Sequence, residues 1–146
     1  MKQHYVVGFA FNPEKNKVLL IKKNRPNWQA GKFNGIGGKI ESFDSSPFIA
    51  MSREFKEETG LEISPKEWDL FNIIESPDFK LFVFHTTSTT LDDFQSITDE
   101  IVHYVEVSDL FNNQFSECIS NLSWLISMCL DRDIDRISGQ ITYQNF

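Results

Sequence analysis

Short apolar stretches separated by turn residues predict a β-hairpin at the start of the chain. Residues 5–11 are apolar and β-prone, and residues 18–21 are aliphatic. Residues 12–16, which lie between them, have the composition of a turn. A polar loop over residues 25–32 then separates the hairpin from a glycine-rich segment.

A helix is predicted to follow this segment. Ser45 or Ser46 is suited to cap the helix, Pro47 to its first turn, and Gly60 to its C′ position. Three apolar residues recur at helical spacing and form its core-facing stripe, namely Phe48, Met51 and Phe55.

The second half of the chain predicts three more strands and a long helix. Residues 70–75 and 79–87 flank a Ser-Pro-Asp turn, and residues 101–107 form another β-prone run. Apolar residues recur at helical spacing over residues 114–130, and the tail from residue 133 is predicted to add a short strand. The expected fold is of the α/β (α+β) class, with a mixed β-sheet sandwiched between helices.

Length and charge limit the classes of protein to consider. The 146 residues suit one domain, and the net charge of −7 argues against binding a nucleic-acid polymer, which normally requires a basic face. The sequence shows neither a signal-peptide pattern nor a run of about eighteen apolar residues. We therefore expect a soluble cytoplasmic protein with no membrane partner.

The two cysteines are predicted to be buried free thiols. Cys118 and Cys129 are eleven residues apart on the predicted C-terminal helix. That spacing corresponds to a rise of roughly 16 Å, which is too far for a disulfide bond within one helix. No zinc-binding spacing accompanies them.

Three carboxylates, those of Glu54, Glu57 and Glu58, stand close together on the helix predicted before Gly60. Spacings of three and four residues place them on one face, with Glu54 and Glu57 opposite the core stripe. Like charges at such spacings repel by roughly 0.2–0.5 kcal/mol per pair, which a divalent cation between them would relieve. The alternative is an ordinary solvated face balanced by Arg53. The three glycines of residues 35–41 favour the metal, because glycine allows the backbone to approach a ligand closely.

The glycine-rich segment and the acidic helix together resemble the Nudix box, G-x5-E-x7-R-E-U-x-E-E-x-G-U, in which U is apolar. The matching residues are Gly38, Arg53, Glu54, Phe55, Glu57, Glu58, Gly60 and Leu61. The sequence departs from this pattern at one place. Between Gly38 and Arg53 it has one residue more than the pattern. Asp44 stands at the first acidic place, where the pattern has the longer glutamate.

The resemblance implies the Nudix fold and the hydrolysis of a nucleoside diphosphate linked to another group. Water attacks a phosphorus atom, while Mg²⁺, or Mn²⁺ in its place, neutralises the bridging oxygens. The metal ligands implied by the resemblance are backbone carbonyls and carboxylates, drawn from Gly37, Gly38, Glu54, Glu57, Glu58 and Glu100. Without the resemblance, a loop glutamate such as Glu100 is more often simply solvated.

The resemblance also assigns catalytic roles to Glu54, Glu57 and Arg53. Glu54 is either a metal ligand or the general base, and the glutamate that serves as base differs within the family. Arg53 is expected to orient the glutamates through paired hydrogen bonds and not to contact the substrate.

Within the family, residues 28–39 look most like members that hydrolyse oxidised purine nucleoside triphosphates, such as 8-oxo-dGTP. The segment has an aromatic residue followed by Asn-Gly-x-Gly-Gly-Lys. Its substrate contacts are expected from Trp28, Asn34 and Lys39, with Asn121 as a later contact to the base. Asn34 is equally suited to forming a turn before a glycine, and Trp28 to covering the core.

The sequence is also compatible with two other functions. Pro77 lies close to where ADP-ribose-cleaving members carry a proline, which favours ADP-ribose or a nucleotide sugar as the alternative substrate. Ser-Pro-Asp is also an ordinary turn sequence. Nudix-like domains can also lose catalysis and serve as nucleotide-binding modules, usually after losing a box acid. In each case the expected partner is a small nucleotide, bound by a monomer or homodimer.

Overall fold

The computed structural model describes residues 2–144, within which eight strands join in one mixed sheet. The strands are β1 Gln3–Phe11, β2 Lys17–Lys22, β3 Phe33–Asn34, β4 Ile36–Lys39, β5 Asp69–Glu75, β6 Phe79–Thr87, β7 Ile101–Glu106 and β8 Gly139–Thr142. The helices are α1 Pro47–Thr59, α2 Val107–Asn112 and α3 Leu122–Cys129. Single 3₁₀ turns occur at Pro65–Glu67, Leu91–Asp93, Gln114–Glu117 and Ile134–Arg136.

The sheet is built around β1, which has a different partner on each edge. On one edge it runs parallel to β6 over its whole length, and the sheet continues through β5 to β8. On the other edge, the first half of β1 pairs with β4 and the second half with β2. β2 in turn carries β3 and β7. Because strands of both directions are present, the prediction of a mixed sheet is confirmed.

Helices cover both faces of the sheet, as predicted. On one face, Met51 and Phe55 of α1 are buried against Trp68 and Phe84. The other face is packed by the buried apolar side of α3, around residues such as Leu122, Leu125, Ile126 and Phe71. The two cores bury apolar surface on both sides of the same strands, which is what stabilises an α+β sandwich of this kind.

The ends of α1 follow the predicted capping pattern. Ser46 is the N-cap and its hydroxyl accepts a hydrogen bond from the Ile49 N–H at 3.2 Å, while Pro47 is the first helical residue. Gly60 ends the helix at φ 76°, a left-handed conformation that glycine adopts without steric cost. These caps fix the residues at which the acidic helix begins and ends.

Two predictions were wrong. Residues 114–130 are not one helix, because the chain leaves the Gln114–Glu117 turn as an extended segment and forms α3 only from Leu122. Cys118 lies in that extended segment and pairs with Phe33, so the two cysteines are not on one helix. Both are nevertheless buried and free, as predicted. No helix within residues 2–144 is long and apolar enough to cross a membrane.

Candidate functional site

The glycine strand β4 and helix α1 meet at Gly38. In the sheet, Gly38 pairs with Val6 and Gly37 with Val7. A Cβ atom on Gly38 would lie 2.5 Å from the carboxyl carbon of Glu54, and one on Gly37 would lie 1.9 Å from the carbonyl oxygen of Val6. Glycine at both positions therefore lets the strand pack under the helix, with the Glu54 carboxylate against the backbone of Gly38.

Glu54 is buried, which excludes the ordinary solvated face that was the alternative for this residue. The residue is 9% exposed, because β4 covers the side of α1 that carries it. Glu57 lies on the open side, with 54% of its side chain exposed. The apolar periodicity of α1 predicts that Glu54 lies away from the core stripe, but it contains no information on strand β4, which covers that side.

Arg53 connects the acidic residues of the site. Its Nη1 donates to Oε1 of Glu54 at 3.1 Å and to both carboxylate oxygens of Glu57 at 3.2 Å. Its Nε and Nη2 donate to the two carboxylate oxygens of Asp44, at 3.0 and 2.8 Å, and Nη2 also donates to the carbonyl of Lys39. One guanidinium thus holds two box glutamates, the preceding loop and the end of β4.

Asp44 occupies a defined place in this arrangement despite the longer loop. Its side chain is only 1% exposed, and Oδ2 also accepts the Glu41 N–H at 2.8 Å. The hydrogen bonds from Arg53 lower the pKa of Asp44, against the opposing effect of burial. The same ion pair is the main cause that raises the pKa of Arg53. Asp44 is therefore an ionised partner of Arg53.

The box glutamates influence one another electrostatically. Burial raises the pKa of Glu54, and the negative charges of Glu57 and Glu58 contribute in the same direction, against the attraction of Arg53. Burial also raises the pKa of Glu58, with further contributions from Glu100 and Glu57. Such mutual repulsion among hard oxygen donors is what a divalent cation would relieve, so the donor set suits Mg²⁺ or Mn²⁺. Among the described residues these glutamates do not form a three-residue group with ligand atoms within 4.8 Å.

Glu100 lies near Glu58, at the C-terminal end of α1, where its carboxylate is buried and accepts several hydrogen bonds. Lys23 donates to Oε1 at 2.9 Å, and the Asn24 N–H donates to Oε2 at 2.6 Å. Burial acts to raise the pKa of Glu100, but these donors outweigh it and lower the pKa. Thr98 links the two acids, since its hydroxyl donates to Glu58 at 2.8 Å and accepts from the Glu100 N–H at 3.3 Å.

Lys23 and Thr98 were missed by the sequence reasoning. Each is an ordinary residue in a polar stretch, and its role depends on a partner at least 40 positions away. A lysine at the end of an aliphatic strand is a common surface residue. Only the pairing of β2 with β7 brings Lys23 to the loop that carries Glu100.

The predicted base-reading residue Asn34 already has partners within the chain. Its amide nitrogen donates to Gln29 Oε1 at 3.0 Å, and its oxygen accepts the Gly35 N–H at 2.7 Å. These contacts are those of a turn former, and they leave one amide N–H and one oxygen lone pair for a ligand. Trp28 lies beside Gln29 in the loop before β3. It is 66% exposed, so it does not cover the core.

The other two predicted substrate contacts lie near this loop and strand β4. Lys39 is exposed at the end of β4. Asn121 immediately precedes α3, and its Oδ1 is buried without a hydrogen-bond partner. The segment before Asn121 is fixed to β3, because the Ile119 N–H donates to the Phe33 carbonyl at 3.0 Å. The topology therefore brings residues 118–121 to the strand that carries Asn34.

Comparison with known proteins identifies the class. The model of the NUDIX domain family matches residues 1–125. The chain therefore belongs to the Nudix family. A comparison with curated proteins gave no match.

Solved structures share the fold at low sequence identity. A MutT structure from work on Aliivibrio salmonicida and Vibrio cholerae is 23% identical with a TM-score of 0.69, covering 94% of this chain and 100% of its own. The MutT of Bacillus halodurans is 19% identical with a TM-score of 0.70, covering 97% and 90%. A bifunctional NMN adenylyltransferase/ADP-ribose pyrophosphatase of Francisella tularensis is 14% identical with a TM-score of 0.73, over 89% of this chain and 41% of its own.

Proposed function

We propose that this protein is a metal-dependent nucleotide pyrophosphohydrolase. Its proposed substrate is a nucleoside triphosphate, with oxidised purine forms such as 8-oxo-dGTP first among those to test, and its products are a nucleoside monophosphate and pyrophosphate. The observation that carries the proposal is the group formed by Glu54, Glu57 and Arg53 against Gly38, in a chain that retains the acids of the Nudix box helix.

The proposed metal ligands are the box carboxylates and a backbone carbonyl of β4. Glu57 and Glu58 supply hard oxygens, the carbonyl of Gly37 or Gly38 supplies one more, and Glu54 joins them as a ligand if Glu57 is the base. When bound, Mg²⁺ or Mn²⁺ would neutralise charge on the phosphate oxygens. Glu100 has three donors of its own. We therefore propose that Glu100 mainly fixes the loop beside Glu58 and reaches the metal only if Lys23 moves.

We propose Glu54 as the general base, with Glu57 as the alternative. Arg53 bonds to Oε1 of Glu54, and Oε2 has no hydrogen-bond partner within residues 2–144. That oxygen would take a proton from the attacking water, whose oxygen forms the new bond to the α-phosphorus. The bond from this phosphorus to the bridging oxygen then breaks, and pyrophosphate leaves with the electron pair. Arg53 keeps both glutamates oriented throughout.

The residues proposed to bind the nucleoside are Trp28, Asn34, Lys39 and Asn121. The exposed ring of Trp28 is available to stack on a base. Asn34 retains one donor and one acceptor position, and Asn121 has an unpaired buried amide oxygen that can accept from a purine N–H. Lys39, exposed beside the box, would meet the phosphates.

The alternative substrate is ADP-ribose or a nucleotide sugar. The Francisella tularensis protein that shares this fold is a bifunctional NMN adenylyltransferase/ADP-ribose pyrophosphatase. Pro77, however, lies exposed in the tight turn between β5 and β6, where the Ser76 N–H donates to the Phe79 carbonyl at 2.9 Å. That is the ordinary role of proline in a turn. A non-catalytic nucleotide-binding module is the second alternative.

Free small nucleotides are the proposed partners, in the cytoplasm, with the protein acting as a monomer or homodimer. The net charge of −7 disfavours nucleic-acid polymers, whereas a chelated nucleotide brings its own counter-cation.

Product analysis tests this proposal directly. The purified protein is incubated with Mg²⁺ and with nucleoside triphosphates including 8-oxo-dGTP, ADP-ribose and dinucleoside polyphosphates, beside Glu57→Gln. Release of a monophosphate and pyrophosphate is expected, and AMP with ribose phosphate would support the alternative substrate. A folded protein that binds these nucleotides without cleaving any of them would contradict the proposed activity and support a binding module.

A further inference from the structure

A second group of metal-ligating side chains lies at the edge where β5 and β6 meet the C-terminal tail. Asp69 of β5 pairs directly with His85 of β6. Asp135 joins them from the Ile134–Arg136 turn. One ligand atom from each of the three residues lies within 4.8 Å of the other two. Within residues 2–144 this is the one group of three such side chains that the fold brings together so closely.

His85 is unsatisfied at this position. The residue is 4% exposed, and neither Nδ1 nor Nε2 has a hydrogen-bond partner. Leaving a buried polar group without a partner is unfavourable, so such a group in a native fold calls for an explanation. The ring packs edge to face against Phe71, at 5.4 Å between centroids, which fixes its orientation. The ring therefore has a fixed orientation, and its nitrogens have no hydrogen-bond partner although two carboxylates lie nearby.

We propose that Asp69, His85 and Asp135 form a divalent-cation site whose expected occupant is Zn²⁺. One imidazole nitrogen and two carboxylates are a donor set that zinc accepts, at about 2.0–2.2 Å from each ligand atom. The two carboxylates would balance the charge of the cation. Both aspartates are exposed, so core packing does not hold their side chains in place and they are free to rotate toward a shared cation. Water would complete the coordination.

The proposed site is separate from the Nudix box. Successive residues of a strand point to opposite faces of a sheet. Trp68 and Phe84 face α1, in the core that also holds Met51. Their neighbours Asp69 and His85 therefore face the side covered by α3, as the contact of His85 with Phe71 also shows.

Lys15, in the turn between β1 and β2, has an electrostatic effect on His85. Its charge opposes a positive charge on His85, while Asp69 and Asp135 favour one. The ammonium group of Lys15 donates to the carbonyl of Cys129 at 2.9 Å, so it is already engaged with α3. It does not take the place between the aspartates.

A cation at this site would act as a clamp on the C-terminal segment. Asp135 lies in the turn four residues before Gly139, where β8 begins, and β8 is held by pairing with β5. Joining Asp135 to β5 and β6 would add a second connection between the tail and the sheet. Because only the folded chain brings the three ligands together, bound zinc would stabilise that state.

Binding of Zn²⁺ to the full chain tests the proposal, and Co²⁺ absorption serves as a spectroscopic probe. The measurements use a Glu57→Gln/Glu58→Gln background, which weakens metal binding by the box, and the Asp135 variant then assigns the binding that remains. One equivalent of Zn²⁺ is expected to bind and raise Tm. Adding Asp135→Asn should weaken binding at least tenfold and abolish the Tm shift.

Asp133→Asn is the matched control, because Asp133 is equally exposed and lies two residues away outside the group. It should bind Zn²⁺ like the parent. His85→Ala serves as a second loss-of-binding variant if circular dichroism shows that it folds. Absence of stoichiometric binding in the background protein, or equal binding in the Asp135→Asn and Asp133→Asn variants, would overturn the proposal.

Discussion

Arg53 and Asp44 form a two-bond ion pair across a loop that is one residue longer than the family pattern. Nε and Nη2 of Arg53 lie 3.0 and 2.8 Å from the two carboxylate oxygens of Asp44. The extra residue is accommodated before Pro47, where α1 begins, so the register of the helical glutamates is unchanged. The pairing also fixes the guanidinium that holds Glu54 and Glu57. The longer loop therefore leaves the three box glutamates on one uninterrupted helix, with Arg53 bound to two of them.

Removing the charge of Asp44 should destabilise the protein. Asp44→Asn leaves a largely buried guanidinium with one weaker partner, so we expect the free energy of unfolding to fall by about 1–3 kcal/mol. The exposed pair of Arg25 and Asp99 supplies the control, since Asp99→Asn breaks the same type of ion pair at the surface. Urea unfolding at neutral pH measures both variants, and little change is expected for Asp99→Asn. Equal effects would show that burial does not matter here.

The same ion pair predicts a pH dependence of stability. Because folding lowers the pKa of Asp44, its contribution is fully present above the ordinary carboxyl pKa and is lost as the pH falls through the lowered value. Wild type should therefore lose more stability than Asp44→Asn between about pH 5 and pH 2. The measurement is urea unfolding across this range. Parallel curves for the two proteins would contradict an ionised, stabilising Asp44.

The neighbouring glycines Gly37 and Gly38 should respond differently to alanine. At Gly37 the new methyl group would lie 1.9 Å from the Val6 carbonyl oxygen, and backbone in a sheet cannot move aside. At Gly38 it would meet the end of the Glu54 side chain, which can rotate away. Gly37→Ala is therefore expected to lower the free energy of unfolding by about 1–3 kcal/mol, whereas Gly38→Ala should cost less than about 1 kcal/mol.

Gly38→Ala is expected to lose activity although the protein remains folded. Displacing Glu54 from its place in Gly38→Ala is expected to reduce kcat by about 10- to 100-fold, since small misplacements of a reacting group have effects of this size. Steady-state kinetics measures this decrease, and urea unfolding measures the stability of the same samples. A Gly38→Ala enzyme with wild-type kcat would mean that the position of Glu54 is not critical.

Several of these features could be predicted from the sequence because their causes are local. The caps at Ser46 and Gly60 and the short strands follow from residue type and periodicity. The burial of Glu54 could not, because strand β4, which covers it, comes from a different part of the chain. For residues 114–130, apolar spacing was compatible with a helix, but the pairing of Cys118 with Phe33 holds part of the segment extended. Contacts distant in sequence decided each case.

Replacing Asn34 should distinguish base recognition from turn formation. If Asn34 contacts a purine, Asn34→Ala raises KM for purine nucleotides by about 2- to 10-fold more than for pyrimidine nucleotides, the effect of one lost hydrogen bond. Gln29→Ala is the matched control, because it removes the same internal hydrogen bond while leaving Asn34 in place. Similar KM changes for both bases, or the same purine effect in Gln29→Ala, would identify Asn34 as a residue that shapes the loop.

Glu57 offers a test of the acidic site with little risk to the fold. More than half of its side chain is exposed, so Glu57→Gln should unfold like wild type. Loss of a charged metal ligand is expected to lower kcat by at least about 100-fold, in line with a contribution of several kcal/mol to the transition state. Glu62→Gln, at an exposed glutamate paired with Lys56 just beyond the helix, should retain activity. Near-wild-type turnover by Glu57→Gln would refute the assignment.

The two thiols should react only when the protein opens. Burial raises the pKa of Cys118 to about 11 and that of Cys129 to about 12, so at pH 8 almost no thiolate is present in the folded state. We expect labelling by a disulfide reagent to be slow in buffer and complete in denaturing urea. Cys118→Ser and Cys129→Ser assign each reaction to a residue. Cys118 should react first, because it lies in the extended segment before α3, whereas Cys129 is fully buried in the core. Rapid labelling of Cys129 in native buffer would show that α3 separates from the sheet more readily than its packing implies.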